Sequence, residues 1–331
     1  MKIMVYEARP DEQADLEKQA ALHGVELSVT DAVPTLENAS LAAGCAGVSI
    51  LGQGRIDAAL LDAYHALGIR YLSTRTIGYD HIDLGHARSI GLRVCSASYA
   101  PNGVADFTVM MILMCLRHYK QALWRGQVND FSLTGLQGRE MKDLTIGIIG
   151  TGRIGAQVVR NLSGFGCRIL AYDLRRNPAV EPQVTYVDFD TLLAQSDVIT
   201  LHMPLLDSNR HIINREAIAK MRDGVVIVNC SRGELADIEA LIEGIETGKI
   251  GALGMDTVEG DEGIIHADHR VDILPNRNWF YLHQFRNVIM TQHMAFYTDA
   301  AVASMVACGI GGICQMAAGE PCPTELTGPV Q

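Results

Sequence analysis

One hexapeptide narrows the folds open to this 331-residue chain more than any other feature: Gly150-Thr151-Gly152-Arg153-Ile154-Gly155. It follows the apolar run Leu144 to Ile149 and leads into a helical pattern from Ala156 to Gly164. The next apolar run, Arg168 to Tyr172, is closed by the acid Asp173. Each part has a physical task. Gly150 permits the tight turn out of a strand, Gly152 lets a phosphate approach the backbone, and Gly155 lets the helix lie close on the sheet. The helix N-terminus presents free N–H groups and a partial positive charge. Glycines, strand, helix and acid in this register predict a dinucleotide-binding unit, with Arg153 and Ile154 completing its loop. Asp173 would accept hydrogen bonds from the adenosine ribose and repel a 2′-phosphate, which favours NAD over NADP. Arg175 and Arg176 follow directly and weaken that exclusion.

The rest of the chain repeats the same grammar. Apolar, β-branched runs at 3–6, 25–29, 48–51, 69–73 and 92–95 form one series of expected strands. A second series falls at 145–149, 169–172, 198–201, 225–228, 252–255 and 288–291. Helical stretches such as Asp11–His23 and Ile238–Thr247 separate many of them. Two parallel-sheet α/β domains, Rossmann-like or flavodoxin-like, are expected. A long helix is expected over Asn102–Gln127, with Pro101 in its first turn and an apolar interior from Val109 to Leu116. A second is expected from Asp299 to about Ala317. The glycine motif begins only after the first of these. The cofactor domain, 101–296, is therefore expected as an insertion in a substrate-binding (catalytic) domain made of 1–100 and 297–331.

Composition excludes several alternatives. A formal net charge of −11, with no block of like charge, argues against nucleic acid or an anionic membrane as partner. The longest apolar stretch recognised, Phe107 to Leu116, is too short to span a bilayer. Met1 to Tyr6 reads as a strand rather than a leader. Eight cysteines show no paired or metal-ligand spacing, which suits reduced thiols in a cytoplasm.

Open α/β sheets gather function at the carboxyl ends of their strands. Those ends carry His202 in Leu201-His202-Met203-Pro204, Arg232 in Asn229-Cys230-Ser231-Arg232-Gly233, Asp256, and His293 after Val288–Gln292. An acidic cluster, Glu259-Gly260-Asp261-Glu262, follows Asp256. His202 and Pro204, with Cys230 and Ser231, are expected on the cofactor side, and Asp256 beside the nicotinamide amide. His266, Asp268, His269 and Asp272 match no standard metal spacing and read as a solvated loop, so no metal is expected.

Together these segments resemble the NAD-dependent D-specific 2-hydroxyacid dehydrogenases, and most of all their D-lactate dehydrogenase branch, which includes the keto-acid reductases of vancomycin-resistance clusters. Ser73-Thr74-Arg75-Thr76-Ile77-Gly78, Tyr99-Ala100-Pro101-Asn102 and His293-Met294-Ala295-Phe296-Tyr297-Thr298 carry the resemblance beside the motifs above. It spans essentially the whole chain. It implies hydride transfer from NADH to the keto carbon of a 2-oxo acid, pyruvate or a bulkier one, giving a D-2-hydroxy acid. It further implies that His293 is the general acid, or the base in reverse, kept protonated by a neighbouring carboxylate. Arg232 would grip the substrate carboxylate and polarise the carbonyl. The N–H groups of Ile77 and Gly78 would also bind that carboxylate, with Tyr99, Leu51 and Phe296 shaping the site. A homodimer is implied, built partly on the apolar helix after Pro101. Two departures stand out. Gap-free matching puts Asp261 where the family carries glutamate as the partner of His293, with Glu262 as the alternative. Gln292 stands where a proline is usual. The rival reading is a non-catalytic NAD(H)-sensing protein of the corepressor type, against which the Arg232 and His293 pair argues.

Overall fold

The computed structural model describes residues 1–274 and 276–328. The chain divides into two compact units, Met1–Ala100 with Tyr297–Gln331, and Pro101–Phe296. Residues 275 and 329–331, which the expected domains include, lie outside the described residues.

The first unit holds five strands: β1 (Lys2–Val5), β2 (Glu26–Val29), β3 (Gly47–Ile50), β4 (Tyr71–Thr74) and β5 (Arg93–Cys95). They pair in the order β2-β1-β3-β4-β5, parallel throughout. Alternation sorts their side chains. Ile3 and Val5 pack with Val306, Ile310 and Ile313 of the helix Asp299–Ala318. Met4 and Tyr6 face the other way, into a cluster with Val48, Leu61, Tyr64 and Leu72. Both faces are covered, as parallel sheets require. The far edge at β5 is closed by the chain's return: Ser96 N–H donates to Thr324 O at 3.0 Å, and Leu326 N–H to Val94 O at 2.8 Å. An ion pair of 2.6 Å between Arg93 and Glu325 fixes the overlap.

The helix Asp299–Ala318 corrects one sequence expectation, because by length and composition it could cross a membrane. Its residues Val302, Met305, Val306, Gly309, Ile310 and Ile313 are buried in the first unit, so its apolar character belongs to the core.

The second unit holds β6 (Thr145–Ile149), β7 (Arg168–Tyr172), β8 (Thr185–Tyr186), β9 (Val198–Leu201), β10 (Val225–Asn229), β11 (Ile250–Met255) and β12 (Val288–Met290). Their order is β12-β11-β10-β9-β6-β7-β8, again parallel. The order reverses between β6 and β9, which opens the crevice where such sheets take ligands.

The single helix expected over Asn102–Gln127 is two helices, Asn102–Leu116 and Tyr119–Gln127. At the break His118 adopts φ 50°, and the Leu116 carbonyl accepts from Arg139 N–H at 3.1 Å. Burial explains the break. The first helix sinks Val104, Val109, Met111, Ile112, Cys115 and Leu116 into the unit, whereas the second buries no residue. Lys120 pins the second helix by donating to the carbonyls of His283, Phe285 and Val288 at 2.8, 2.9 and 2.7 Å.

Candidate active site

Within the second unit the expected residues lie at carboxyl ends of strands. The glycine loop leaves β6, Asp173 follows β7, His202 follows β9, Arg232 follows β10, Asp256 and Asp261 follow β11, and His293 follows β12. Gly150 turns the chain at φ +94°, and a Cβ there would lie 2.6 Å from His202 O. A Cβ at Gly155 would collide with the Gly150 carbonyl, so the helix Arg153–Ser163 starts as close to the sheet as backbone allows. By contrast, a Cβ at Gly152 would meet nothing within 4 Å. Gly152 is also the N-cap, and it supplies no side-chain acceptor to the helix's first N–H groups. The space where a side chain would stand at Gly152 is open, which suits the approach of a pyrophosphate to the backbone. Arg153 is exposed at the helix start and Ile154 is half-buried.

Asp173 is wired to the loop. Its Oδ2 accepts from Thr151 N–H at 2.6 Å and from the Thr151 hydroxyl at 3.1 Å, and its Oδ1 accepts from Arg175 N–H at 3.0 Å. Tyr186 of the two-residue β8 donates to Thr151 Oγ1 at 2.8 Å, and Asn177 Nδ2 donates to Thr151 O at 2.7 Å. The Arg176 guanidinium lies over the Tyr186 ring, 5.5 Å from its centroid. Of the two arginines that weakened the case for NAD, one is thus held on an aromatic face. Sequence reasoning missed Thr151, Asn177 and Tyr186, which join only through the fold.

His202 is buried, with Thr200 Oγ1 at 3.0 Å from Nε2, while its Nδ1 has no protein partner. Burial pushes its pKa down to about 3, which favours the neutral ring. The unmatched nitrogen beside the glycine loop is a second feature that fits a polar cofactor. Pro204 is exposed on the loop that follows, and Cys230 is buried with its thiol pKa raised by that burial.

Arg232, Asp261 and His293 ride on three loops that are fastened together. The buried Asn229 side chain shapes the first loop: its Nδ2 donates to Arg232 O at 2.7 Å and its Oδ1 accepts from Ser231 N–H at 3.0 Å. Ser231 Oγ donates to Leu201 O at 2.7 Å, tying the loop to β9. At Gly233 an added Cβ would overlap the backbone of Val258 and Glu259, so the first and second loops touch main chain to main chain. Asp256, 1% exposed, then joins the second loop to the third. Its Oδ1 accepts from the Thr291 hydroxyl at 2.5 Å and from Met294 N–H at 2.9 Å, and its Oδ2 accepts from Ala295 N–H at 2.8 Å. Asp256 was expected beside the nicotinamide. In the structure its carboxylate holds the loop on both sides of His293.

The acidic cluster separates by environment. Glu259 is drawn off by Arg210 and His211 at 2.6 and 2.8 Å. Glu262 is exposed. Asp261 is largely buried, and burial raises its pKa to about 6, opposed by the Val258 N–H that donates to Oδ2 at 3.1 Å. The charges of Glu234 and Glu262 raise it further, and Arg232 lowers it. His293 takes φ 53°, an uncommon conformation for a residue with a side chain. Phe296 meets its ring edge-on, at 6.3 Å and 83°. The expected solvated loop resolves into pairs, His269 with Asp272 and Arg270 with Asp268. Among the described residues no three metal-ligating side chains gather.

In the first unit Leu51 follows β3, Ile77 and Gly78 follow β4, and Tyr99 follows β5. Leu51 is buried on a loop held by one carboxylate. Glu7 accepts the N–H groups of Leu51, Gly52, Gln53 and Gly54, the last three at 2.8, 2.9 and 3.0 Å. Arg75, beside the Ile77–Gly78 turn, is wholly buried and paired with Glu12 at 2.9 Å, with further bonds to Ser49 Oγ and to the carbonyls of Tyr6 and Glu7. It is a structural cation. Thr76 Oγ1 donates to Gly78 O at 2.6 Å, while no protein acceptor among the described residues takes the N–H of Ile77 or Gly78.

Residues 109–295 match the family model described as "D-isomer specific 2-hydroxyacid dehydrogenase, NAD binding domain". The chain is 41% identical to an aromatic 2-oxoacid reductase of Clostridium sporogenes, over 92% of this chain and 93% of the relative. It is 36% identical to a D-specific alpha-keto acid dehydrogenase of Enterococcus faecium, with 92% and 93% covered. Among solved structures, the pyruvate reductase of Chlamydomonas reinhardtii superposes with a TM-score of 0.90 at 34% identity, covering 98% of both chains.

Proposed function

The chain belongs to the D-isomer specific 2-hydroxyacid dehydrogenase family, and from that membership we propose how its residues divide the work. It is an NAD-dependent oxidoreductase that reduces a 2-oxo acid to the D-2-hydroxy acid. NADH, when bound, supplies the hydride. Gly150, Gly152, Arg153, Ile154 and Gly155 hold its pyrophosphate, and Asp173 its adenosine ribose. His202, Pro204, Cys230 and Ser231 border the same crevice. His293 delivers the proton to the carbonyl oxygen as that oxygen gains charge, and accepts it in reverse. Asp261 rather than Glu262 orients and charges that imidazole, a choice supported by the burial of one and the exposure of the other. Arg232 presents its donor fork to the substrate carboxylate and carbonyl, a geometry lysine cannot supply. One observation carries this assignment: Gly233 and Asp256 lock the three loops bearing Arg232, Asp261 and His293 into a single platform.

To the first unit we assign the substrate carboxylate at the uncommitted N–H groups of Ile77 and Gly78, with Tyr99 and Leu51 shaping the pocket. For the substrate side chain we favour an aromatic or other bulky group over the methyl of pyruvate. The Phe296 ring set edge-on to His293 supports this, as does the 41% identity to an aromatic 2-oxoacid reductase. We further propose a cytoplasmic homodimer. Eight unpaired cysteines suit the compartment. Trp124 on the second helix, and Phe131 and Leu133 after it, are 64, 79 and 84% exposed, and such exposed apolar side chains suit a subunit contact.

The test is a steady-state panel of 2-oxo acids with NADH. Phenylpyruvate is expected to exceed pyruvate in kcat/KM, and Arg232→Ala to lose nearly all turnover while NADH still binds. Near-normal turnover of the purified Arg232 variant would overturn the assignment.

A further inference from the structure

A feature outside the catalytic trio acts on it. The peptide group between His293 and Met294 is gripped at both ends. Its N–H donates to Asp256 Oδ1 at 2.9 Å. Its carbonyl, His293 O, lies 3.3 Å from Nε2 of His266. A carbonyl oxygen can only accept, so Nε2 of His266 carries the hydrogen and donates it. His266 is brought there by the loop that bears Asp261. The Asp261 main-chain carbonyl accepts from Ile264 N–H at 3.0 Å and Ile265 N–H at 3.2 Å, and this turn delivers His266 at φ 63°. The three rings His266, His293 and Phe296 then form a cluster, with centroids 6.1, 6.3 and 6.4 Å apart.

We propose that His266 is a positioning residue for His293, fixing the peptide plane after the general acid and thereby the direction of its imidazole. This role for His266 rests on His293 being the general acid/base. A side-chain-bearing residue at φ 53° persists only where its surroundings over-determine it. Asp256 alone fixes the N–H end of the peptide; a second bond at the oxygen sets its plane. Five residues after Asp261, the same loop therefore supplies both a carboxylate and a backbone clamp for one histidine.

The experiment compares His266→Phe and His266→Asn in the full-length enzyme. Phenylalanine keeps a ring and loses the donor. Asparagine keeps an N–H donor and tolerates the left-handed backbone. For His266→Phe we expect kcat to fall about tenfold, the scale of a slightly misplaced catalytic group. KM for NADH should stay at its wild-type value, while the melting temperature should fall slightly because phenylalanine is strained at φ 63°. His266→Asn is expected to recover most of the lost kcat. His293→Gln, run in parallel, separates the two claims. Substantial turnover in His293→Gln would remove the premise. A dead His293→Gln with wild-type kcat in His266→Phe would overturn the proposal itself, as would an asparagine variant no better than phenylalanine.

Discussion

Replacing Asp261 by asparagine should make the protein more stable and less active at the same pH. The carboxyl is largely buried, and burial lifts its pKa from 3.8 to about 6. At about 1.4 kcal/mol per tenfold change in ionisation, that rise corresponds to about 3 kcal/mol of strain in the charged form. The sign follows from linkage. Below 3.8 the acid is neutral whether folded or unfolded, and it costs nothing. As pH rises from about 3.8 towards 6 the unfolded chain ionises freely while the folded one resists, so stability is lost. Above about 6 the full penalty applies. Asparagine does not titrate, and its carbonyl can still accept from Val258 N–H, which donates to Asp261 at 3.1 Å. Asp261→Asn should therefore raise the melting temperature at pH 8 by roughly 6–12 °C, using about 2–4 °C per kcal/mol for a unit of this size. About half the gain in free energy should remain at pH 5. Both tryptophans, Trp124 and Trp279, lie in the second unit, so tryptophan fluorescence of the apoprotein reports the relevant unfolding. Turnover at pH 7 should fall at least roughly tenfold if, as proposed, Asp261 is the charged partner of His293. A melting temperature equal to wild type at pH 8, or a gain independent of pH, would refute the reasoning.

Gly233→Ala should destabilise the second unit by about 3 kcal/mol, since its methyl needs space held by the Val258–Glu259 backbone; a fluorescence melt checks this, and kcat should drop with it. Glu12→Gln should cost about 3–5 kcal/mol by leaving Arg75 buried without a counter-charge. Urea denaturation followed by far-UV circular dichroism would register that loss as a lower first midpoint. Asp173→Ala should raise KM for NADH about tenfold and narrow the preference over NADPH, read from the ratio of kcat/KM for the two cofactors; an unchanged ratio would remove Asp173 from the adenosine site.

Much of the architecture was legible because it is written in local periodicity. Apolar runs mark the long strands, the glycine hexapeptide marks its turn, and the carboxyl ends of strands point to Arg232 and His293. What escaped depends on contacts between distant residues. Nothing in Leu116-Arg117-His118 carries a glycine or proline to announce a break; the helix ends because burial ends there and Arg139 claims the Leu116 carbonyl. The anchoring role of Asp256 was not visible in its position after β11, because its three donors lie 35 to 39 residues away. The buried Glu12–Arg75 pair spans 63 residues and breaks the rule that charge stays outside. β8 is too short to give any periodic signal.

The Glu7 carboxylate has a bearing on how such an enzyme could change its diet. It holds the loop at 51–54 through four main-chain N–H groups and touches none of that loop's side chains to do so. Gly52, at φ +87°, and Gly54, where a Cβ would lie 2.6 Å from Val33, constrain their own positions, but the Glu7 bonds make no use of the side chain at 51. If Leu51 borders the substrate as proposed, its side chain can be exchanged while the Glu7 bonds keep the loop's course, so specificity there could drift, or be engineered, without rebuilding the domain that carries it.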